Sequence, residues 1–333
     1  MTVEAPAYKK KDFVSDQEVR WCPGCGDYAM LSSMQGVFAS LGVRKENFAV
    51  ISGIGCSSRL PYYIDAYGFH GIHGRAAAIA SGVKCANPDL DVWIGTGDGD
   101  ALSIGGNHMI HAARRNLNMV VVMFNNRIYG LTKGQYSPTT ERDKKTISSP
   151  FGTLDNPFNP ISLMLGSGAS FVARTVDVQP KHMKEVFAAA HAHHGFSFVE
   201  VLQNCVIFND KAFEHITAKS IRSDRQIELI AGKPMVYGKE MDKGIKMIPG
   251  SIEVCPAEEA SLWNPSGSTG ANGYRLCQGS EDGELPVPIG IFRQVEAPVL
   301  EDDIYAQIAS AKEKLGEGTL DSLLQAGETW DVS

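Results

Sequence analysis

The sequence predicts an α/β protein: an open, mostly parallel sheet with helices on both faces, followed by a less regular C-terminal extension. Two apolar runs carry that expectation, residues 91–96 (DVWIGT) and 118–124 (NMVVVMF). Each is short, and each ends in small and polar residues, GDGD and NNRIYG. Segments with helical spacing alternate with such runs from residue 27 to residue 202, the rhythm of crossover units that keep neighbouring strands parallel. Sheets of this kind bind ligands outside the carboxyl ends of their strands, which places a candidate site at GDGD and NN.

The elements follow in order. Residues 1–20 are a polar arm whose lysine run at 9–11 is a solvated surface. In WCPGCGDYAM, Cys22 and Cys25 precede a helix expected over 27–41, with Gly42 beyond its end. A short strand at 48–51 enters the glycine-rich turn SGIGCSSRLPYY, which carries Cys56 and Arg59. GFHGIHGRAAAIASGVKCANP gives a loop bearing His70 and His73, then a helix from about Gly74 that Pro88 prevents from continuing. After the second apolar run, residues 133–160 form a polar, proline-containing loop beside the candidate site, expected to act as a wall or lid. A helix at 161–166, a strand at 170–176, a helix at 181–194 and a strand at 195–202 restore the rhythm, and QNC follows at once. Residues 210–290 are less regular, with NPSGSTGANGYRL reading as exposed loops, and 302–316 and 319–327 read as short closing helices. The expected organisation is an arm (1–20), a core domain (21–225) and an extension (226–333) packed on the core or on a partner.

Composition excludes several classes. At 333 residues and 43% apolar content the chain can bury a full core. A net charge of -7 without a Lys/Arg-rich block argues against nucleic-acid binding. No apolar signal core opens the chain and no window approaches membrane-span length, so a cytoplasmic protein without membrane insertion is expected. The seven cysteines are too sparse for a secreted disulfide framework and read as metal ligands, redox thiols or core residues.

A Gly-Asp-Gly turn at a strand end lets backbone N–H groups approach a phosphate while the aspartate offers a hard oxygen to Mg²⁺. A second strand ending in Asn125 and Asn126 can bring an amide oxygen to the same ion, so Asp98 and Asn126 can bracket it. The alternative is a tight turn and a polar strand end without function. No G-x-G-x-x-G opens a suitable unit, which sets dinucleotides aside. GDG and NN, separated by residues 100–124, together resemble the thiamine-diphosphate-binding motif. That resemblance implies Mg²⁺ on Asp98, Asn126 and the carbonyl of Ile128, with Gly97, Gly99 and Asp100 in the diphosphate turn. It also implies that this chain is half of a cofactor site, since the pyrimidine is gripped by a second domain for which little room remains.

CPGC alone fits a redox pair, half of a zinc site or a structural turn, and thiolates also hold [4Fe–4S] clusters. Taken together, WCPGCG, SGIGCSSRLPYY, FHGIHGRA, TGDGDALSIGGNHMIHAARRN, NNRIYGLTKGQYSPTT, QNC and PIGIFRQVEAP resemble the β-subunit of 2-oxoacid:ferredoxin oxidoreductases. The resemblance spans roughly residues 18–218 plus the tail motif. It implies cluster ligands at Cys22, Cys25, Cys56 and Cys205 and assigns no such role to Cys85, Cys255 or Cys277. It further implies thiamine diphosphate as electron sink for a 2-oxoacid, coenzyme A as acyl acceptor and ferredoxin as electron acceptor. An α-subunit supplying the pyrimidine-binding domain, in an (αβ)₂ or larger assembly, completes the picture. Lys133, the tyrosines after Arg59 and PIGIFR look most like enzymes of 2-oxoglutarate, with pyruvate or a branched-chain 2-oxoacid as the alternative. A non-redox thiamine decarboxylase subunit would leave the cysteines unexplained, and a zinc-stabilised binding module would leave GDGD and NN unexplained.

The same resemblance nominates Arg59 and His73 as catalytic, Arg59 through a substrate carboxylate. His73 also counts as cofactor-binding, with Ser57, Gly130, Leu131 and Thr132, and His70 is a weaker candidate. His108 with His111, and the histidines at 191–194, read as packing and helix-end residues rather than metal ligands; Arg114 and Arg115 read as surface.

Overall fold

The structure, a computed structural model, describes residues 6–267, 269–281, 283–330 and 332; the first five residues of the expected arm and positions 268, 282, 331 and 333 of the extension lie outside it. Its main sheet has eight strands in the order β2-β1-β3-β4-β6-β5-β11-β7. They are β1 (Phe48–Ser52), β2 (Tyr67–His70), β3 (Asp91–Gly97), β4 (Met119–Asn125), β5 (Phe171–Val176), β6 (Phe196–Leu202), β7 (Gln226–Leu229) and β11 (Val287–Gln294). Every neighbouring pair is parallel except β5 with β11. β8 (Val236–Tyr237), β9 (Lys243–Ile248) and β10 (Ser251–Pro256) form a small antiparallel sheet of their own.

The central strands are continuous apolar runs because both faces are covered, and β4 and β6 are buried at every position. Alternate side chains serve opposite faces. Ile94, Val121, Met123 and Phe198 pack with Ala80, Met109, Ala112 and Met164 from the helices Ala76–Ala86, Gly106–Arg115 and Pro160–Gly166. Trp93, Val120, Val122 and Phe124 pack on the other side with Met30, Met34, Phe38 and Phe187 from the helices Asp27–Phe38 and Pro180–Ala192. Residues 191–194 are drawn into three separate contacts, His191 with Asp91 (2.5 Å), His193 with Ser170 (2.7 Å) and His194 with Asp302 (2.6 Å), and do not converge on an ion.

Several expectations are revised. The first long helix stops at Phe38, three residues short of 41, and the chain turns away through Gly42 at φ +69°. β2 was expected as loop; all four of its residues are exposed, so no apolar period marks it, and it is held as an edge strand by pairing with β1. NPSGSTGANGYRL is not all exposed loop: the helix Ala271–Glu281 begins within it and buries Leu276 and Cys277. The segment from 226 onward also supplies β7 and β11 to the main sheet, so it is continuous with the core. Pro288 and Gly290 mask β11 as a strand. A Cβ at Gly290 (φ +95°) would stand 2.7 Å from the Leu229 carbonyl oxygen, a position that requires glycine.

Candidate functional site

Because β1, β3 and β4 run parallel, their carboxyl ends share one edge of the sheet, and the turns leaving them meet there. Ser57, His73, Gly97, Asp98, Gly99, Asp100, Asn126, Ile128, Gly130, Leu131 and Thr132 all line a single cavity of about 110 Å³, joined by Cys56 and Asp27. Arg59 lies outside it. Its guanidinium donates to the Arg20 carbonyl (2.9 Å) and borders a neighbouring cavity with His70 and Tyr62. Leu131 borders both. His73 sits at the rim, 43% exposed, edge-on to Tyr129.

Asp98 is 2% exposed. Its Oδ2 accepts hydrogen bonds from the hydroxyls of Ser137 (2.5 Å) and Thr139 (2.6 Å). Burial pushes its carboxyl pKa up, and those hydroxyls oppose the rise. Arg127 takes the left-handed conformation (φ +57°), and the turn it makes brings Asn126 and Ile128 to the same cavity wall. A carboxylate, an amide oxygen and a backbone carbonyl on one small cavity are the donor set of a hard divalent cation. Ser57 adds a buried hydroxyl without any hydrogen-bond partner, a group that a ligand would satisfy.

Asp100 does different work. Its Oδ1 accepts from the backbone N–H groups of Ile54 (3.0 Å) and Gly74 (2.7 Å), and its Oδ2 from Thr96 Oγ1 (2.8 Å). The carboxylate thus ties two loops to the end of β3. Glycines are required around it. A Cβ on Gly99 would stand 2.3 Å from the Tyr129 ring, whose hydroxyl donates to the Gly99 carbonyl. A Cβ on Gly105 would stand 2.4 Å from the Asp100 carbonyl oxygen, a backbone atom that cannot step aside. Gly105→Ala should therefore cost about 1–3 kcal/mol and open the loop junction, read as a fall in Tm together with weaker cofactor binding; an unchanged Tm would contradict the packing.

The thiols expected to act together come from three segments tied by the backbone. Trp21 Nε1 donates to the Cys56 carbonyl (2.8 Å) and the Gly26 N–H to the Asn204 carbonyl (3.2 Å), next to Cys205. Cys205 is buried, Cys25 and Cys56 are half-buried and Cys22 is exposed. Burial pushes the Cys56 thiol up to about 12, with Asp27, Cys205 and Cys22 adding to the rise. Cys25 is raised further, first by burial, then by Asp27. These thiols face one another and a buried acid, an arrangement that favours thiolates only if positive charge is brought among them. Among the described residues, no three His, Cys, Asp or Glu side chains are already closed around the position of a metal ion. Gly130, which lines the cavity with Cys56, also abuts the sulfurs: a Cβ there would be 3.5 Å from Cys205 Sγ and 3.8 Å from Cys56 Sγ.

Three residues at the site escape sequence reading. Asp27 is buried with neither oxygen in a well-formed hydrogen bond; the Cys25 thiol beside it offers only a partial offset, and burial, then Asp177, raises its pKa to about 7. Ser137 and Thr139 come from the loop expected as wall or lid. The SPTT motif was visible, but nothing local tells a hydroxyl facing solvent from one facing a carboxylate 39 or 41 residues away.

Comparison with known proteins adds an independent line. The family model described as the C-terminal TPP-binding domain of thiamine pyrophosphate enzymes matches residues 53–201. The 2-oxoglutarate oxidoreductase subunit KorB of Mycobacterium tuberculosis is 47% identical over 331 residues, covering 97% of this chain and 88% of that protein. Subunit beta of 2-oxoacid:ferredoxin oxidoreductase 2 from Aeropyrum pernix is 35% identical over 278 residues, covering 74% of this chain and 90% of its own length. The structure of 2-oxoglutarate:ferredoxin oxidoreductase from Magnetococcus marinus, with 2-oxoglutarate, coenzyme A and succinyl-CoA bound, superposes with a TM-score of 0.77 at 34% identity. That match covers 98% of this chain and 100% of the other.

Proposed function

Since the chain belongs to the β-subunit family of 2-oxoacid:ferredoxin oxidoreductases, we propose that it is the β-subunit of a CoA-acylating enzyme acting on 2-oxoglutarate. The reaction is 2-oxoglutarate, coenzyme A and two oxidised ferredoxins giving succinyl-CoA, carbon dioxide and two reduced ferredoxins. The observation that carries the reading is the cavity at the ends of β1, β3 and β4, where Asp98, Asn126 and Ile128 meet one backbone residue away from Cys56 and Cys205. The whole-length likeness to a 2-oxoglutarate enzyme supports the choice of acid.

Asp98, Asn126 and the Ile128 carbonyl would hold Mg²⁺, with Ser57 and the Gly97–Asp100 turn receiving the diphosphate. Bound there, thiamine diphosphate supplies the electron sink that 2-oxoacid decarboxylation needs. Cys22, Cys25, Cys56 and Cys205 would ligate a [4Fe–4S] cluster that takes electrons one at a time. Arg59, whose guanidinium donates to the Arg20 carbonyl, offers charge to a substrate carboxylate, and His73 offers an imidazole at the rim. The 110 Å³ cavity is far below the roughly 300 Å³ of a typical ligand pocket, and exposed Leu131 edges it. An α-subunit closing over that rim completes the pocket, in an (αβ)₂ assembly. No helix among the described residues is long and apolar enough to cross a membrane.

The test is anaerobic purification of the chain co-expressed with its α-subunit, followed by iron, sulfide, zinc and thiamine analysis. A 2-oxoacid screen with coenzyme A and a low-potential acceptor completes it. About four irons and one thiamine per αβ unit are expected, with CoA-dependent turnover fastest on 2-oxoglutarate. Zinc without iron would remove the cluster, and full cofactors without CoA-dependent turnover would reject the activity.

A further inference from the structure

We propose that Ser137 and Thr139 are positioning residues for the Asp98 carboxylate, held in place by the hydrogen bonds that pin their loop to the end of β4. The proposal rests on the reading of Asp98 as a Mg²⁺ ligand and adds a part of the site contributed by a distant loop.

The geometry is specific. Asp98 lines the cofactor cavity, whereas neither Ser137 nor Thr139 does. The two hydroxyls therefore grip the carboxylate from behind, both on Oδ2, at 2.5 and 2.6 Å. Such short bonds to a charged acceptor are the strong kind. Ser137, Thr139 and Thr140 are each at most 3% exposed, so no water competes for their protons. The loop itself is pinned to the end of β4. Thr140 Oγ1 accepts the Ser137 N–H (2.7 Å) and donates to the Arg127 carbonyl (2.7 Å), and the Thr140 N–H returns to the Ser137 carbonyl (3.0 Å).

Behind the hydroxyls the order continues. Thr139 Oγ1 lies 3.0 Å from Asn125 Oδ1. Only the amide nitrogen of Asn125 can donate, and it donates to Glu200 Oε1 at 2.7 Å. That bond turns the amide oxygen toward Thr139, whose single proton is on Asp98, and the oxygen takes its hydrogen bond from the Arg127 N–H (3.2 Å). Glu200 is in turn held by Arg174 Nε at 2.6 Å. Asn125, Glu200 and Arg174 sit on three adjacent strands, β4, β6 and β5. Thr139 and Asn125 together form part of the wall of a second cavity, about 630 Å³, on the side away from the cofactor cavity. The 3.0 Å approach of Asn125 to Thr139 is therefore a packing contact behind the hydroxyl, whose proton stays on Asp98.

Each variant is examined in the assembled αβ protein after removal of Mg²⁺, by calorimetric titration of Mg²⁺ at fixed thiamine diphosphate and by the Mn²⁺ electron paramagnetic resonance spectrum. Thr139→Val keeps the shape and removes the hydroxyl. It should raise the apparent Kd for Mg²⁺ by roughly 10–100-fold and alter the Mn²⁺ line shape, with the iron absorption spectrum unchanged. Thr139→Ser should recover most of the affinity. Wild-type Mg²⁺ affinity in Thr139→Val, or equal weakness in the valine and serine variants, would overturn the proposal. If the valine variant fails to assemble, Ser137→Ala removes the other hydroxyl from the same oxygen and is read the same way: weakened Mg²⁺ binding supports the assignment and unchanged binding overturns it. Thiamine diphosphate binding to the unaltered protein without any Mg²⁺ dependence would instead refute the cofactor reading itself, so the two failures are distinguishable.

Discussion

Asp98→Asn should lose Mg²⁺-dependent thiamine diphosphate binding by roughly 10²–10³-fold, the scale of removing one member of a close buried charge pair, while the cofactor-free protein becomes no less stable. The two halves of that expectation have one cause. The Asp98 carboxyl is buried at 2% exposure, with the Ser137 and Thr139 hydroxyls on one oxygen. Burial raises its pKa, so the charged form costs the folded state free energy at neutral pH. A metal ion repays that cost; an amide avoids it and still accepts from Ser137 and Thr139. Titration calorimetry and a thermal melt of the assembled protein, with and without Mg²⁺, separate the effects. Cofactor binding retained in the asparagine variant would sink the ligand assignment. Cys56→Ala gives the complementary result, loss of the iron spectrum with Mg²⁺-dependent cofactor binding retained, because its thiol and the Asp98 carboxylate serve different groups across the same wall.

Arg174→Met should destabilise the protein by about 3–5 kcal/mol, the typical consequence of leaving one member of a buried ion pair behind. Arg174 and Glu200 face each other across β5 and β6 in register, with side chains 7% and 1% exposed. The guanidinium also lies 5.6 Å from the Phe292 ring centroid on β11, so one side chain links three strands. The pairing explains how charge is tolerated in the buried centre of the sheet. The double variant Arg174→Met, Glu200→Leu should recover part of the loss. A denaturation midpoint within error of wild type for the single variant would show that the pair adds nothing.

Much of the fold was legible because β3 and β4 announce themselves: long apolar runs with GDGD and NN at their ends need few alternatives. The cavity-lining residues were legible for the same reason, since parallel strands force their carboxyl ends together. β2 and β11 were not. β2 carries no buried side chain, and β11 contains a proline and a glycine whose tolerance depends on its position beside β7 rather than on its own sequence. Asp100, expected in the diphosphate turn, lines the cavity, and its carboxylate also accepts from Ile54, Gly74 and Thr96, bonds that the sequence does not announce. Arg59 and His73 were expected in one catalytic group and occupy adjoining cavities. The SPTT hydroxyls were unreadable because hydrogen bonding across some forty residues leaves no periodicity.

Gly130 has a consequence for electrical design. With the roles proposed above, the backbone of Gly130 borders the cofactor cavity and two sulfurs at once, and a Cβ there would already touch both. A larger residue would press on the sulfurs themselves, so the contact between electron source and outlet is kept short by a side chain that is absent.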